Sequence, residues 1–211
     1  MFYLIGGAPR SGKTTIAREL SNKLNIPWIS TDTLESVVAK YIDGDNIEKL
    51  FPKSVLRKLT NNSNDEMYTK YTSKEIVDAY IEQGKSLAQA IETFIACEAL
   101  YNHDYILEGH HISPDLALML KDKFQIKAVF VGRKDIDETL KAITINPQEN
   151  DWVTSKTKNT ETYKLIANML TEFSLRVKRG AEENNLPYVS VATNFKDAVE
   201  QIVRNINKEN K

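Results

Sequence analysis

Eight residues near the start of the chain, Gly7-Ala8-Pro9-Arg10-Ser11-Gly12-Lys13-Thr14, satisfy the pattern G-x-x-x-x-G-K-[ST] at every fixed position. Each fixed residue has a duty in holding an anion. Glycines let the backbone wrap closely, so that loop amides and the first turn of a following helix turn their N–H groups inward. Lys13 then bridges terminal phosphates as a point charge, and the Thr14 hydroxyl is the expected Mg2+ ligand. The run is therefore assigned to ATP. Arg10, inside the loop, can add a guanidinium charge to the same site.

Further along, two carboxylates stand where chemistry would need them. Asp32 follows the short apolar run Trp28-Ile29-Ser30, and Glu108 follows Tyr105-Ile106-Leu107. In open parallel sheets ligands bind outside the carboxyl ends of the strands, so both fall on the edge that carries the phosphate loop. Asp32 reads either as a chemical group or as part of a helix cap, for which Thr31, Asp32 or Thr33 would serve. Glu108 reads either as the carboxylate ordering the Mg2+ shell or as an acceptor for loop amides. His110 and His111 follow directly. Adjacent histidines rarely ligate one ion, and the chain offers only His103 and Cys97 besides, so zinc is not expected. A histidine there either contacts substrate or is packed and hydrogen-bonded.

The elements that position these residues follow from periodicity. Phe2-Tyr3-Leu4-Ile5 is a buried strand running into the loop, and Ile16, Ala17, Leu20 and Leu24 recur at helical spacing behind it. Strands follow at 28–30, 105–107, 126–131 and 186–191, each leading towards a helix. From 43 to 73 the pattern loosens around Gly44, Pro52 and Asn61-Asn62-Ser63-Asn64, which reads as helical fragments inserted over the site. Lys53, Arg57 and Lys58 there either hold an anionic substrate group or lie on a solvated surface. A long helix opens at Thr72 or Ser73, with a kink or break expected at Gly84. The polar tract from about 146 to 160, anchored by Trp152, reads as a mobile cover. A long helix from 160 or 161 carries Ile166, Leu170, Phe173 and Val177 on one face. Thr193-Asn194 leads into the last amphipathic helix, with Asn194 a candidate nucleotide contact.

With 211 residues, 41% hydrophobic and 27% charged, the chain can bury one substantial core, so a single α/β domain is expected. A net charge of −1 lacks the footprint of a nucleic-acid binder and favours a small-molecule substrate. The single cysteine excludes an internal disulfide framework, and Cys97 is expected to be buried in a helix. No uninterrupted apolar stretch reaches membrane-spanning length, so no membrane partner and a cytoplasmic location are expected. Either a monomer or a homodimer fits.

The phosphate loop, Ser30-Thr31-Asp32 and Leu107-Glu108-Gly109-His110-His111 with Pro114 resemble, in that order, the motifs of P-loop small-molecule kinases. They are most similar to those of the 2-phosphoglycerate kinase family, with antibiotic phosphotransferases and zeta-toxin-type kinases related. The resemblance implies a P-loop fold: a five-stranded parallel sheet flanked by helices, a helical substrate-binding insertion and a lid. It implies phosphate binding by Gly12, Lys13, Thr14 and Thr15, base duty for Asp32, and a metal-shell role for Glu108. It also aligns His111 with the family's histidine, against the substrate; Arg57 is a substrate candidate from the basic residues of the insertion alone. Lids of such kinases bring arginines onto the transferring phosphate, whereas this one holds only Lys156 and Lys158, leaving the role to Arg133, Arg176 or Arg179. Two other readings stay open: an ATP-binding regulatory module, and a nucleoside or nucleotide kinase stacking a base on Tyr68, Tyr71 or Phe51.

Overall fold

The computed structural model describes residues 1–42, 44–145 and 151–191, together with Asp197, Val199, Glu200 and Ile202. Asn194 and the first part of the expected cover, 146–150, lie outside the described residues. Five strands, β1 (Phe2–Gly7), β2 (Trp28–Ser30), β3 (Tyr105–Gly109), β4 (Ile126–Gly132) and β5 (Tyr188–Ser190), pair in parallel in the order β2-β3-β1-β4-β5. Such a sheet must be covered on both faces, which is why β1 and β4 are buried at every position and read as continuous apolar runs.

Alternate residues of the strands feed two cores. Leu4, Leu107 and Phe130 face one side, where they meet Tyr80 and Ile91 together with Phe173. Tyr3, Ile5, Ile106 and Val129 face the other, against Ile16, Leu20, Val199 and Ile202. The register sets Ser30 level with Glu108, and Glu108 level with Ile5, so the loops after three strands emerge at one height.

The helices follow local signals. Helix α1 (Lys13–Leu24) starts behind Gly12 in a left-handed conformation with no side-chain cap, which leaves its amide N–H groups directed into the loop. Helix α2 (Thr31–Val38) is capped by Ser30, whose hydroxyl accepts from the Asp32 amide, so the cap is none of the three residues expected and Asp32 is free of that duty. Three short helices fill the inserted region: α3 (Gly44–Leu50), α4 (Pro52–Leu59) and α5 (Asn64–Lys70). Helix α6 (Ser73–Ser86) opens with a Thr72–Glu75 capping box, and α7 (Ala88–Leu100) follows.

The break between α6 and α7 falls at Leu87, not at Gly84. Gly84 instead permits close approach: a Cβ there would lie 3.4 Å from His111 Cα. Cys97 is exposed, because Ile91 and Ile95 define the inward face of α7. Helix α8 (Pro114–Lys121) starts on Pro114 behind a Ser113 cap, and α9 (Ile136–Ile145) follows β4. The described part of the cover forms α10 (Trp152–Ser155), and α11 (Thr160–Glu183) spans the molecule behind it. Among the described residues no helix is long and apolar enough to cross a membrane.

Candidate active site

Between β1 and α1 the phosphate loop has the backbone its glycines permit. Gly7 has φ +147° and a Cβ there would lie 2.1 Å from the Val131 carbonyl oxygen, so no side chain fits; Gly12 has φ +91°. Arg10 also adopts a left-handed conformation, with φ +60°. Lys13 is buried and its Nζ donates to the Ala8 carbonyl at 2.7 Å, folding the ammonium over the loop. Burial lowers the Lys13 pKa from its ordinary value, and the charges of Glu108 and Asp32 oppose that shift. Ser11 Oγ is buried in the same loop without a hydrogen-bond partner among the described residues.

Thr14 and Glu108 meet at the mouth of this loop, where Thr14 Oγ1 donates to Glu108 Oε1 at 3.0 Å. A hydroxyl and a carboxylate facing each other form a hard oxygen donor pair that suits Mg2+. The loop's inward amides, the folded Lys13 and the unpartnered Ser11 hydroxyl suit a polyphosphate. The residues present therefore fit Mg-ATP. Thr15 is exposed on α1, next to the Thr14 position.

Asp32 starts α2 beside Lys13, with its carboxylate two-thirds exposed and Oδ1 3.3 Å from His110 Nδ1. Desolvation works to raise its pKa, but the hydrogen bond of His110 and the charges of His110, His111 and Lys13 prevail and hold it well below the carboxylate range. Burial, with the adjacent His111, pushes the His110 pKa down to about 3 despite the pull of Asp32. Asp32 and His110 open onto a cavity of about 300 Å³ whose other lining includes Lys53, Arg57, Trp152 and Lys156. The cavity sets two carboxylates, Asp32 and Glu35, among three cations, Lys53, Arg57 and Lys156.

His111 does not face this cavity as expected; His110 does. His111 is fully buried beneath it, with Nδ1 2.8 Å from Thr31 Oγ1 and Nε2 2.7 Å from Glu35 Oε2. Those two bonds hold its ring under α2, while Gly84 of α6 lies against the His111 backbone. Glu35, which sequence reading passed over, is the hub of this floor. It also accepts from Lys53 Nζ at 2.9 and 3.0 Å and from Gln83 Nε2 at 2.6 Å. Desolvation would raise its pKa, yet the bonds and charges of His111 and Lys53 bring it to about 2. Its position three residues after Asp32, on the same helix face, was the available signal.

Arg57 reaches the cavity from α4 with its guanidinium 5.0 Å from the Trp152 ring centroid and a bond to Asn64 Oδ1. The remaining arginines separate by position. Arg10 pairs with Asp151 at 3.1 Å, and Arg133 donates to the Arg10 carbonyl at 3.0 Å, so both lie on the phosphate loop. Arg176 is committed to Asp78 and Glu172, and Arg179 is exposed on α11. Phe51 and Tyr68 are buried in the core, which removes them from the aromatic slot a nucleobase would need.

No protein-family model matches the chain, and no curated protein does. Among solved structures it is similar to a gluconokinase from Sinorhizobium meliloti (11% identity, 99% of this chain and 97% of that one, TM-score 0.48). It is also similar to a shikimate kinase from Aquifex aeolicus (14% identity, 99% and 98%, TM-score 0.47). A protein from Eubacterium ventriosum gives 16% identity over 99% and 98%, with a TM-score of 0.45.

Proposed function

We propose that the protein is an ATP-dependent phosphotransferase acting on a hydroxyl of a small anionic molecule, of the class of phosphorylated hydroxy acids. The observation that carries this reading is the opening of Asp32, beside the phosphate loop, into a cavity lined by Lys53, Arg57 and Lys156. Bound Mg-ATP supplies the transferable phosphoryl group and much of the neutralising charge. The loop amides and Lys13 would hold the phosphates, while Thr14 and Glu108 would hold the ion. Lys53, braced by Glu35, and Arg57, braced by Trp152 and Asn64, hold the acceptor's anionic group.

Asp32 would accept the hydroxyl's hydrogen bond and take up its proton as the hydroxyl oxygen bonds the γ-phosphorus and the bond from that phosphorus to the β–γ bridging oxygen breaks, ADP leaving. A carboxylate held well below its usual pKa is a weak base, so its main service is orientation, as a loose phosphoryl-transfer transition state requires. The test is turnover of purified protein with Mg-ATP on a panel of hydroxy acids, their phosphate esters, nucleosides and aminoglycoside-like alcohols. Asp32→Asn is expected to lower kcat on the order of a hundredfold to a thousandfold with ATP affinity retained. Equal transfer by the variant removes Asp32 from the reaction.

A second reading, an ATP-binding module with little transfer, is favoured by one observation. The loop's Arg10 is engaged by Asp151, and Arg133 is bonded to the Arg10 carbonyl. Calorimetry separates the two: ATP binding with no turnover on any acceptor supports the module, and acceptor-stimulated ADP release rejects it.

A further inference from the structure

The floor of the acceptor cavity brings together side chains that phosphate transfer alone does not require. Asp32 and Glu35 share one face of α2, His110 and His111 follow β3, and one ligand atom from each lies within 4.8 Å of the others. Counting only histidines and cysteines in the sequence leaves no zinc site; the fold adds two carboxylates to the histidine pair. The two adjacent rings converge, with centroids 3.8 Å apart. Among the described residues His110 Nε2 is buried without a hydrogen-bond partner, and the His110 side chain is only 8% exposed.

We propose that Asp32, Glu35, His110 and His111 bind a first-row divalent transition ion, best matched by Zn2+, and that its binding closes the acceptor cavity. Two imidazoles and two carboxylates make a borderline donor set, distinct from the hard oxygen pair Thr14 and Glu108. The outer shell is in place. Thr31 Oγ1 sits 2.8 Å from His111 Nδ1, so a tautomer carrying its proton on Nδ1 donates to Thr31 and frees Nε2 for the ion. That exchange moves a proton between ring nitrogens and releases none.

The ion enters between His111 Nε2 and Glu35 Oε2, now 2.7 Å apart, which must part to roughly 3.3 Å for two ligands of one tetrahedral centre. The wider pairs must close by about 1.5 Å on the same geometry. Asp32, two-thirds exposed, has the freedom to do so. Lys53 now balances the Glu35 charge, so it is the group the ion displaces.

The binding experiment needs neither nucleotide nor acceptor, so its outcome is independent of the phosphotransferase reading; the closure rests on that reading and is read separately from acceptor turnover. Cys97→Ser protein, in which the exposed thiol near Glu98 and His103 is removed, is titrated with Co2+ and then Zn2+, following visible d–d absorption and equilibrium dialysis. One equivalent of Co2+ is expected, displaced by Zn2+ and not by millimolar Mg2+. Asp32→Asn and Glu35→Gln should each weaken binding at least tenfold, whereas Lys53→Met, which removes the competing cation, should tighten it severalfold. Absence of the absorption, displacement by Mg2+, or equal affinity in Asp32→Asn and Glu35→Gln overturns the site. Circular dichroism of each variant shows that it is folded before its affinity is read. Unchanged acceptor turnover with the ion bound overturns the closure.

Discussion

Gly109 shows how tightly single residues set the site. A Cβ at this position would lie 1.7 Å from Thr31 Oγ1, and that hydroxyl in turn holds His111 Nδ1 at 2.8 Å. Alanine must therefore push Thr31 aside and release the ring that braces Glu35. Gly109→Ala is expected to cost about 1–3 kcal/mol through overpacking, read as a lowered Tm, and to raise acceptor KM more than it lowers ATP affinity. A variant with native Tm and native KM would show that the Thr31 contact yields without consequence. The motif residues of the phosphate loop were legible because their duties are local: a glycine at positive φ and a lysine one residue past it need no distant partner. Glu35 was not legible, because its role exists only once α2, α4, α6 and the segment after β3 meet. His111 was misassigned for the same reason, since sequence places two adjacent histidines equally near the edge and packing alone decides which faces the cavity.

Among the elements, α5 bonds to α10 and to the residues that lead into α11. Asn64 Nδ2 donates to the Trp152 carbonyl at 2.8 Å and to Thr157 Oγ1 at 2.8 Å, while its amide donates to the Lys156 carbonyl at 2.9 Å. Asp65 accepts from the Lys158 amide at 2.9 Å and from Thr162 Oγ1 at 2.6 Å. Through these bonds Trp152 is held against Arg57 and Lys156 is held over the cavity. Asn64→Ala removes the side-chain donor to the Trp152 carbonyl and the acceptor of Arg57, and is expected to cost about 1–3 kcal/mol, with faster amide exchange across residues 152–162. Desolvation is the largest single influence on Asp65 and raises its pKa, but its bonds to Thr162, Lys158 and Asn159 together outweigh it and lower the carboxyl from its ordinary value. Its stabilisation is therefore present above the unfolded pKa of about 3.9 and is lost as pH falls through the depressed folded value. Amide exchange across 158–162 should accelerate below about pH 4 in the native protein, and Asp65→Asn should remove that part of the acid dependence. Equal acid sensitivity in the variant would locate the effect elsewhere. The Asn61-Asn62-Ser63-Asn64 run reads in sequence as a loose turn, and nothing local marks its last residue as a clasp.

For the molecule as a whole, the phosphate loop is tied to both faces of the sheet, so occupancy of the loop is linked to global stability. Mg-ATP at a hundred times its Kd should add about 2.7 kcal/mol, a rise in Tm of roughly 5–10 °C for a chain of this size. Lys13→Ala should abolish most of that shift, and a full shift in the variant would place the nucleotide elsewhere. The sequence by itself determined the phosphate loop, the parallel α/β class and the two carboxylates at one sheet edge, because these rest on short-range chemistry and on periodicities of two and 3.6 residues. Only the tertiary structure decided that Ser30 and not Asp32 caps α2, that α6 breaks at Leu87, and that His110 rather than His111 faces the cavity. It also decided that Glu35 and Lys53 pair in the lining of that cavity and that α5 is bonded to the segment that carries Trp152. Each of these depends on residues tens of positions apart, whose meeting is set by how helices pack on a sheet, and packing leaves no repeating mark in the chain.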